Sequence, residues 1–256
     1  MFLVFNKEKI QTYFVSILTV GVLIAIANMS TAQILPTSSS ERALPIYNVK
    51  TEENKVALTM NCAWSADDID RILETLEKNE VKITFFIVGE WAEKYPEAVK
   101  KIYEAGHEIG THSNTHPHVE QLSVEKNLEE IKLGVEKLQK ITGEQTRLYR
   151  TPYGEYNDTV INTARENGYY TIQWNIDTLD YKGLTGDEMW GRIKEKLQKG
   201  SIILTHNGTE HTADSLDMLL KNIKTNGYQV TTVSDLIYKD NYIIDNNGTQ
   251  INKTDS

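Results

Sequence analysis

The sequence predicts an α/β fold in which a mostly parallel sheet is covered by helices. Three observations carry this. Over residues 55–238, short strand-like runs alternate with amphipathic helical ones. Several strand-like runs, such as Val-Lys-Ile-Thr-Phe-Phe-Ile-Val at 81–88, are nearly continuous in apolar residues, the pattern of strands buried on both faces. The polar residues suited to chemistry gather where these strands stop. Periodicity alone leaves a closed barrel and an open doubly wound sheet both standing. No Gly-rich phosphate loop follows the first strand, which argues against a nucleotide site.

The elements follow in order. The first strand is expected at 56–61, and the helix at 67–79 places Ile69, Ile72, Leu73 and Leu76 on one face. Residues 81–88 form the second strand, and 92–105 a helix with Pro96 near its start. A short third strand, 107–111, precedes a long helix at 124–142 whose buried stripe is Leu128, Ile131, Val135 and Leu138. The fourth strand is 147–150, the next helix 158–167, and the fifth strand 170–175. A helix at 187–198 is stopped near Gly200, a residue favoured just past a helix end. The sixth strand at 201–205, a helix at 213–225, a seventh strand at 228–232 and a short helix at 234–238 complete the domain. Residues 239–256 are polar and Asn-rich and read as a frayed tail.

Length and charge narrow the function. The 256 residues suit one large α/β domain or two small ones. A net charge of −9 argues against nucleic acid as a partner. The lone cysteine, Cys62, excludes an internal disulfide framework. Lys7, Glu8 and Lys9 precede an uncharged stretch, 10–40, that is strongly apolar from 13 to 27. Ser30, Thr31 and Ala32 then offer the small residues that a signal peptidase prefers. Residues 1–32 therefore read as a signal peptide or a membrane anchor, engaging the membrane or the secretion machinery. Either way the remainder is exported, to an extracellular, wall-associated or membrane-anchored location. Residues 33–54, with Pro36, Pro45 and the run Thr37-Ser38-Ser39-Ser40, read as a linker, and a monomer is expected.

Five strand ends carry the chemistry. Asn61-Cys62 ends the first, and His112 and His116 follow the third. Arg150-Thr-Pro-Tyr153-Gly154 ends the fourth, Asp177 to Tyr181 follows the fifth, and His206-Asn207-Gly208 ends the sixth. Two imidazoles four residues apart can meet one divalent metal ion if the segment leaves its strand in a helical turn. Cys62 is either a thiolate ligand, which would favour zinc, or a small buried residue. Asp67 or Asp68 either turns toward the metal or serves the helix start, where Ser65 and Asp68 resemble an N-cap pair.

On these residues the chain resembles the polysaccharide deacetylases, the NodB-homology family of carbohydrate esterases. The resemblance covers about 55–238. His112-Ser113-Asn114-Thr115-His116 is similar to the family's H-[ST]-x-x-H metal motif, Arg150-Thr151-Pro152-Tyr153 to its R-x-P-Y motif, and Leu204-Thr205-His206 to its L-x-H motif. Asp177 to Tyr181 is similar to D-x-x-D-W, with tyrosine for tryptophan. The resemblance implies a distorted (β/α) barrel of about seven parallel strands that removes N-acetyl groups from GlcNAc-type cell-wall polysaccharide such as peptidoglycan. It also implies a divalent metal, held by His112, His116 and a third ligand. The first motif departs from the family. Where T-F-D-D-G is usual, the chain has Thr59-Met60-Asn61-Cys62-Ala63, with Asn61 in the place of the catalytic base and Cys62 in that of the third metal ligand.

The resemblance assigns the remaining roles. His206 is the general acid for the leaving amine, oriented by Asp180 in preference to Asp177. The Tyr153 backbone N–H is the oxyanion donor. Leu204 lines the acetyl-methyl pocket, and Tyr181 either stacks on a sugar face or fills the core. Arg150, whose family partner is the base, faces Asn61 and is left to a substrate oxygen or Asp177. Asn61 can orient a water by hydrogen bonding but cannot take its proton. His107 reads as structural. His118, Glu120, Glu210 and His211 read as solvated loop residues. Losing the base points to reduced activity, or to an inactive relative that binds wall glycan or a partner.

Overall fold

Strand β2, Lys55–Cys62, is the centre of the molecule, and every residue in it except Lys55 is buried. The computed structural model describes residues 18–20 and 42–255. Residues 18–20 are helical and belong to a separate unit, Met1–Glu41. The expected signal or anchor segment, and the 33–41 part of the expected linker, lie outside the described residues or almost so. Among the described residues no helix is long and apolar enough to cross a membrane.

β2 pairs in parallel with β3 (Thr84–Ile87) on one side and β8 (Ile202–His206) on the other. β4 (Glu108–Thr111), β5 (Leu148–Tyr149) and β6 (Tyr170–Thr171) extend the sheet beyond β3, and β7 (Ile176–Asp177) extends it beyond β8. β9, Gln229–Thr231, pairs with the start of β2. The order is thus β6-β5-β4-β3-β2-β8-β7. Laid flat, seven strands at about 4.8 Å spacing would hold the two edges about 29 Å apart. Yet β6 and β7, the two edges, are joined by residues 172–175 alone. Five residue steps reach at most about 18 Å, so the sheet must curl into a barrel. β6 and β7 form no ladder with each other among the described residues, which leaves a seam there.

The alternation of β2 sorts its neighbours. Val56, Leu58, Met60 and Cys62 pack in the outer core under the helices α1 (Ile69–Lys78) and α7 (Thr212–Thr225), with Ile72, Leu76, Leu216 and Leu220. Ala57 belongs to the barrel interior with Phe86, Leu148, Ile172 and Ile202. Successive strand residues face opposite ways, so Asn61 shares the interior side and Cys62 does not.

Most elements fall within two residues of expectation, and the exceptions have physical reasons. The helix expected at 92–105 is two, α2 (Gly89–Lys94) and α3 (Pro96–Glu104), broken at Tyr95. Proline lacks the amide that would continue α2 and disfavours a helical residue before it. α4 runs over Val124–Thr142, with the Ser123 hydroxyl accepting from the Lys126 amide and Gly143 closing it at φ 79°. α5 is Asp158–Glu166, α6 is Gly186–Lys196 behind a Thr185–Glu188 capping box, and α8 is Val233–Leu236. The strand expected at 170–175 is divided into β6 and β7, the two edges of the barrel.

Both ends of the domain correct the reading of the sequence. Structure begins before Lys55: Ile46 and Val49 are buried, and Asn48–Val49 forms β1, so 42–54 is not a linker. The tail is not frayed. β10 (Tyr242–Ile244) and β11 (Thr249–Asn252) form an antiparallel hairpin, and β11 pairs in parallel with β1. The turn is held by the Asp245 carboxylate, which accepts from the Asn247 and Thr249 amides. Gln250 is fully buried and exchanges two hydrogen bonds with the Tyr238 backbone.

Candidate active site

The register of the sheet brings the strand ends together. Asn61 is paired with His206 across β2 and β8, and Asp177 with Leu204 across β7 and β8. A cavity of about 630 Å³ opens at these ends. Asn61, His112, His116, Tyr153, Asp177, Tyr181, Leu204 and His206 all line it.

His206 and Asp180 form the best-defined pair. Asp180 is buried, and its Oδ1 accepts from His206 Nδ1 at 2.8 Å and from the Tyr181 amide at 2.9 Å. Oδ2 accepts from the His206 amide at 2.6 Å and from Thr212 Oγ1 at 2.8 Å. Four donors fix the carboxylate, and the carboxylate fixes the imidazole, leaving Nε2 for the cavity. Asp180 is therefore the orienting carboxylate. Asp177 accepts instead from the Leu179 amide and the Tyr181 hydroxyl.

His112 and His116 lie at the end of β4 with ring centroids 4.8 Å apart. The turn needs positive φ at Ser113 (67°) and His116 (60°). Glu130 of α4 holds it by accepting from the Asn114 and Thr115 amides and the Thr115 hydroxyl. Burial pulls the His112 imidazole well below its ordinary pKa, reinforced by nearby His116, and burial lowers His116 too. Neutral rings suit metal ligation and hydrogen-bond acceptance alike.

Arg150 is fully buried, lies outside the cavity lining and does not pair with Asp177. Nη1 donates to Thr59 Oγ1 at 2.8 Å and to Asn61 Oδ1 at 3.0 Å, while Nε and Nη2 donate to the Ile172 and Gln173 carbonyls. Its guanidinium lies 4.0 Å from the Phe86 ring centroid. All its acceptors are neutral, and burial depresses its pKa well below the usual value.

Cys62 is not brought to the site. It is fully buried in the apolar core, outside the cavity lining, because it points to the opposite face from Asn61. Burial, with a smaller push from Asp68, raises its thiol well above the ordinary value. Asp68 neither reaches the histidines nor caps α1 with its side chain. Its oxygens accept from Asn207 Nδ2 and the Gly208 amide. Among the described residues no group of three His, Cys, Asp or Glu side chains is placed to hold a metal ion. The donor set thus supplies two imidazoles and does not fit the three-ligand metal that the histidine motif implies.

Several contributors were not legible as such. Trp64 is one: with Tyr181, which the sequence did single out, it is roughly half exposed and puts its ring 5.3 Å from His206, so that the two frame the mouth. α2 supplies a wall through Glu90, Trp91 and Lys94. His118 is not merely solvated: its ring stacks on Tyr153 at 4.4 Å, and its Nδ1 lies 2.8 Å from Glu155. Tyr153 itself holds a positive φ of 58°. Glu130 lies on α4, outside the histidine motif, so that motif does not mark it, whereas Trp64 directly follows the variant first motif.

A parallel barrel that keeps a carboxylate-oriented histidine and a histidine pair at the carboxyl ends of its strands has the build of a hydrolase. The comparisons agree. The family model described as Polysaccharide deacetylase matches residues 48–172. The peptidoglycan-N-acetylglucosamine deacetylase of Bacillus cereus is 31% identical over 202 residues, 77% of this chain and 74% of that protein. YlxY of Bacillus subtilis, an uncharacterized protein, is 33% identical over 193 residues; the match takes in 75% of this chain but only 60% of YlxY's length. BA3943 of Bacillus anthracis, a CE4 family pseudoenzyme, aligns with a TM-score of 0.73 and 33% identity over 77% of this chain and 69% of its own. A BA3943 mutant with restored enzymatic activity aligns equally well, with a TM-score of 0.73. The chain belongs to the polysaccharide deacetylase family, CE4, a family of hydrolases that are generally metal-dependent.

Proposed function

We propose that the cleft binds an N-acetylated, peptidoglycan-type glycan and hydrolyses its acetamide at a reduced rate. The observation that carries this reading is the His206–Asp180 pair at 2.8 Å, with His206 facing the cavity beside Asn61. His206 would protonate the departing amine through Nε2, held in register by Asp180. The Tyr153 amide would receive the developing oxyanion, and Leu204 would meet the acetyl methyl. Trp64 and Tyr181 would pack on sugar faces. The other half of the reaction is weakened, because Asn61 can hold a water but cannot deprotonate it. Zinc is the ion a histidine and thiolate set would favour; with Cys62 turned away, no step here passes through it. An exported location, expected from residues 1–32, would put the cleft beside its polymer.

A second reading, glycan binding without turnover, is favoured by the hydrogen bond between Asn61 and His112 and by the likeness to BA3943. Acetate release from N-acetylglucosamine oligomers and from peptidoglycan separates the two. Slow release that disappears in His206→Ala supports the first, whereas tight binding with no release supports the second. Binding of neither substrate overturns both. Losing a general base lowers a rate by about 10² to 10⁴, so release well below that of an intact family member is the expected result.

A further inference from the structure

We infer that His112 and His116 in this chain form a metal-free floor to the cleft, locked by an Arg150–Asn61–His112 hydrogen-bond chain, in place of a divalent-cation site. The chain of donors is fixed end to end. His112 Nδ1 lies 2.9 Å from the Arg150 carbonyl, which can only accept, so Nδ1 carries the proton and Nε2 the lone pair. Arg150 Nη1 donates to Asn61 Oδ1, which sets the amide's orientation. Asn61 Nδ2 then points at His112 Nε2, 3.2 Å away, and donates to it. The lone pair that a metal needs is therefore in use, and a cation arriving there would meet an N–H dipole aimed at it. The side chains that might supply a third ligand are engaged elsewhere: Cys62 in the core, Asp68 on Asn207 and Gly208, Asp177 on Leu179 and Tyr181. A dication would also sit close to a buried guanidinium with no carboxylate between them, and that repulsion is weakly screened in the interior. The two departures in the first motif thus act together. Asn61 occupies the histidine, and Cys62 withdraws the third ligand.

The inference rests on the proposed glycan reading only for what lies on the floor, and the two fail separately. Zinc binding by the full chain at neutral pH is measured by calorimetry and by elemental analysis after dialysis, for wild type and for Asn61→Asp, which frees His112 Nε2 and puts a carboxylate beside it. Wild type should hold no stoichiometric zinc and bind it about 10- to 100-fold more weakly than the variant. Nitrogen-15 spectra should report His112 Nε2 as an unprotonated acceptor that zinc does not shift, a readout that does not depend on the variant folding. One zinc per wild-type chain, lost in His112→Ala, overturns the inference. So does a folded Asn61→Asp that binds zinc no better than wild type, since the amide would then not be what closes the site. Binding of N-acetylglucosamine oligomers should be the same with and without a chelator, and loss on chelation overturns the metal-free floor. If the oligomers fail to bind while the zinc results hold, the glycan reading falls and the floor stands.

Discussion

Asn61 Nδ2 stands 3.2 Å from His112 Nε2, while the same amide accepts from Arg150 through Oδ1 at 3.0 Å. An amide can play both parts, because it carries an acceptor and a donor on one planar group. A carboxylate at this position would answer the Arg150 charge but would have no proton to offer His112. Asn61 thus ties the cleft floor together through neutral groups.

Asn61→Asp should therefore stabilise the fold at neutral pH. The hydrogen bond from Arg150 becomes charge-assisted, worth about 1.5–3 kcal/mol against about 1 kcal/mol for the neutral one. Burying the carboxylate removes part of the difference, so the expected gain in unfolding free energy is about 1 kcal/mol. Urea denaturation at pH 7 checks this. A loss of stability would mean that the His112 contact outweighs the counter-charge.

Asp180→Ala should damage both fold and function. The buried carboxylate gathers four hydrogen bonds, from His206 Nδ1, the His206 and Tyr181 amides, and the Thr212 hydroxyl. Leaving several buried donors without acceptors costs about 2–4 kcal/mol, and the His206 ring loses its orientation. Thermal denaturation together with acetate release tests the pairing. Unchanged turnover in Asp180→Ala, with Asp177→Ala inactive, would transfer the orienting role to Asp177.

The strand ends were legible because a parallel sheet must place them on one face: Asn61, His112, Tyr153 and His206 line one cavity, with Arg150 hydrogen-bonded to Asn61 and Asp180 to His206. Side-chain direction was harder to read. Asn61 and Cys62 are adjacent in the motif, but the pleat sends one to the cleft and the other under the helices. The interior guanidinium found its acceptors in backbone carbonyls and Thr59, which no spacing rule names. The hairpin at 242–252 was missed because its strands are only three and four residues long and sit in an Asn-rich stretch, although Asp245-Asn-Asn-Gly248 carries turn chemistry.

Gly134 sets how closely α4 approaches the histidine turn. A β-carbon there would clash with Thr111 Oγ1 and lie 2.7 Å from the Ser113 carbonyl oxygen. Alanine gains about 1 kcal/mol of helix propensity over glycine, but overpacking costs about 1–3 kcal/mol. Gly134→Ala should be net destabilising by about 1 kcal/mol and should shift the amide signals of residues 111–116. A stabilised variant with unmoved signals would show that α4 does not brace the turn.

Acid should destabilise this fold through His107. The residue is 5% exposed, its ring meets the Phe85 edge at 5.3 Å, and Nδ1 accepts from the Ile83 amide. Burial, with a smaller contribution from Lys82, lowers its pKa from 6.5 to about 4. A folded-state value below the unfolded one means that protons bind preferentially to the unfolded chain. The stability is therefore whole above about pH 6.5 and is lost as the pH falls toward about 4. At 1.36 kcal/mol per pH unit, the loss approaches about 3 kcal/mol across that window. His112 and His116, also depressed, act in the same direction. His107→Gln retains an acceptor for the Ile83 amide without a titrating ring. Urea denaturation at pH 7 and pH 4.5 should show a shallower pH dependence in the variant than in wild type, and identical slopes would rule out His107 as a source of the acid sensitivity.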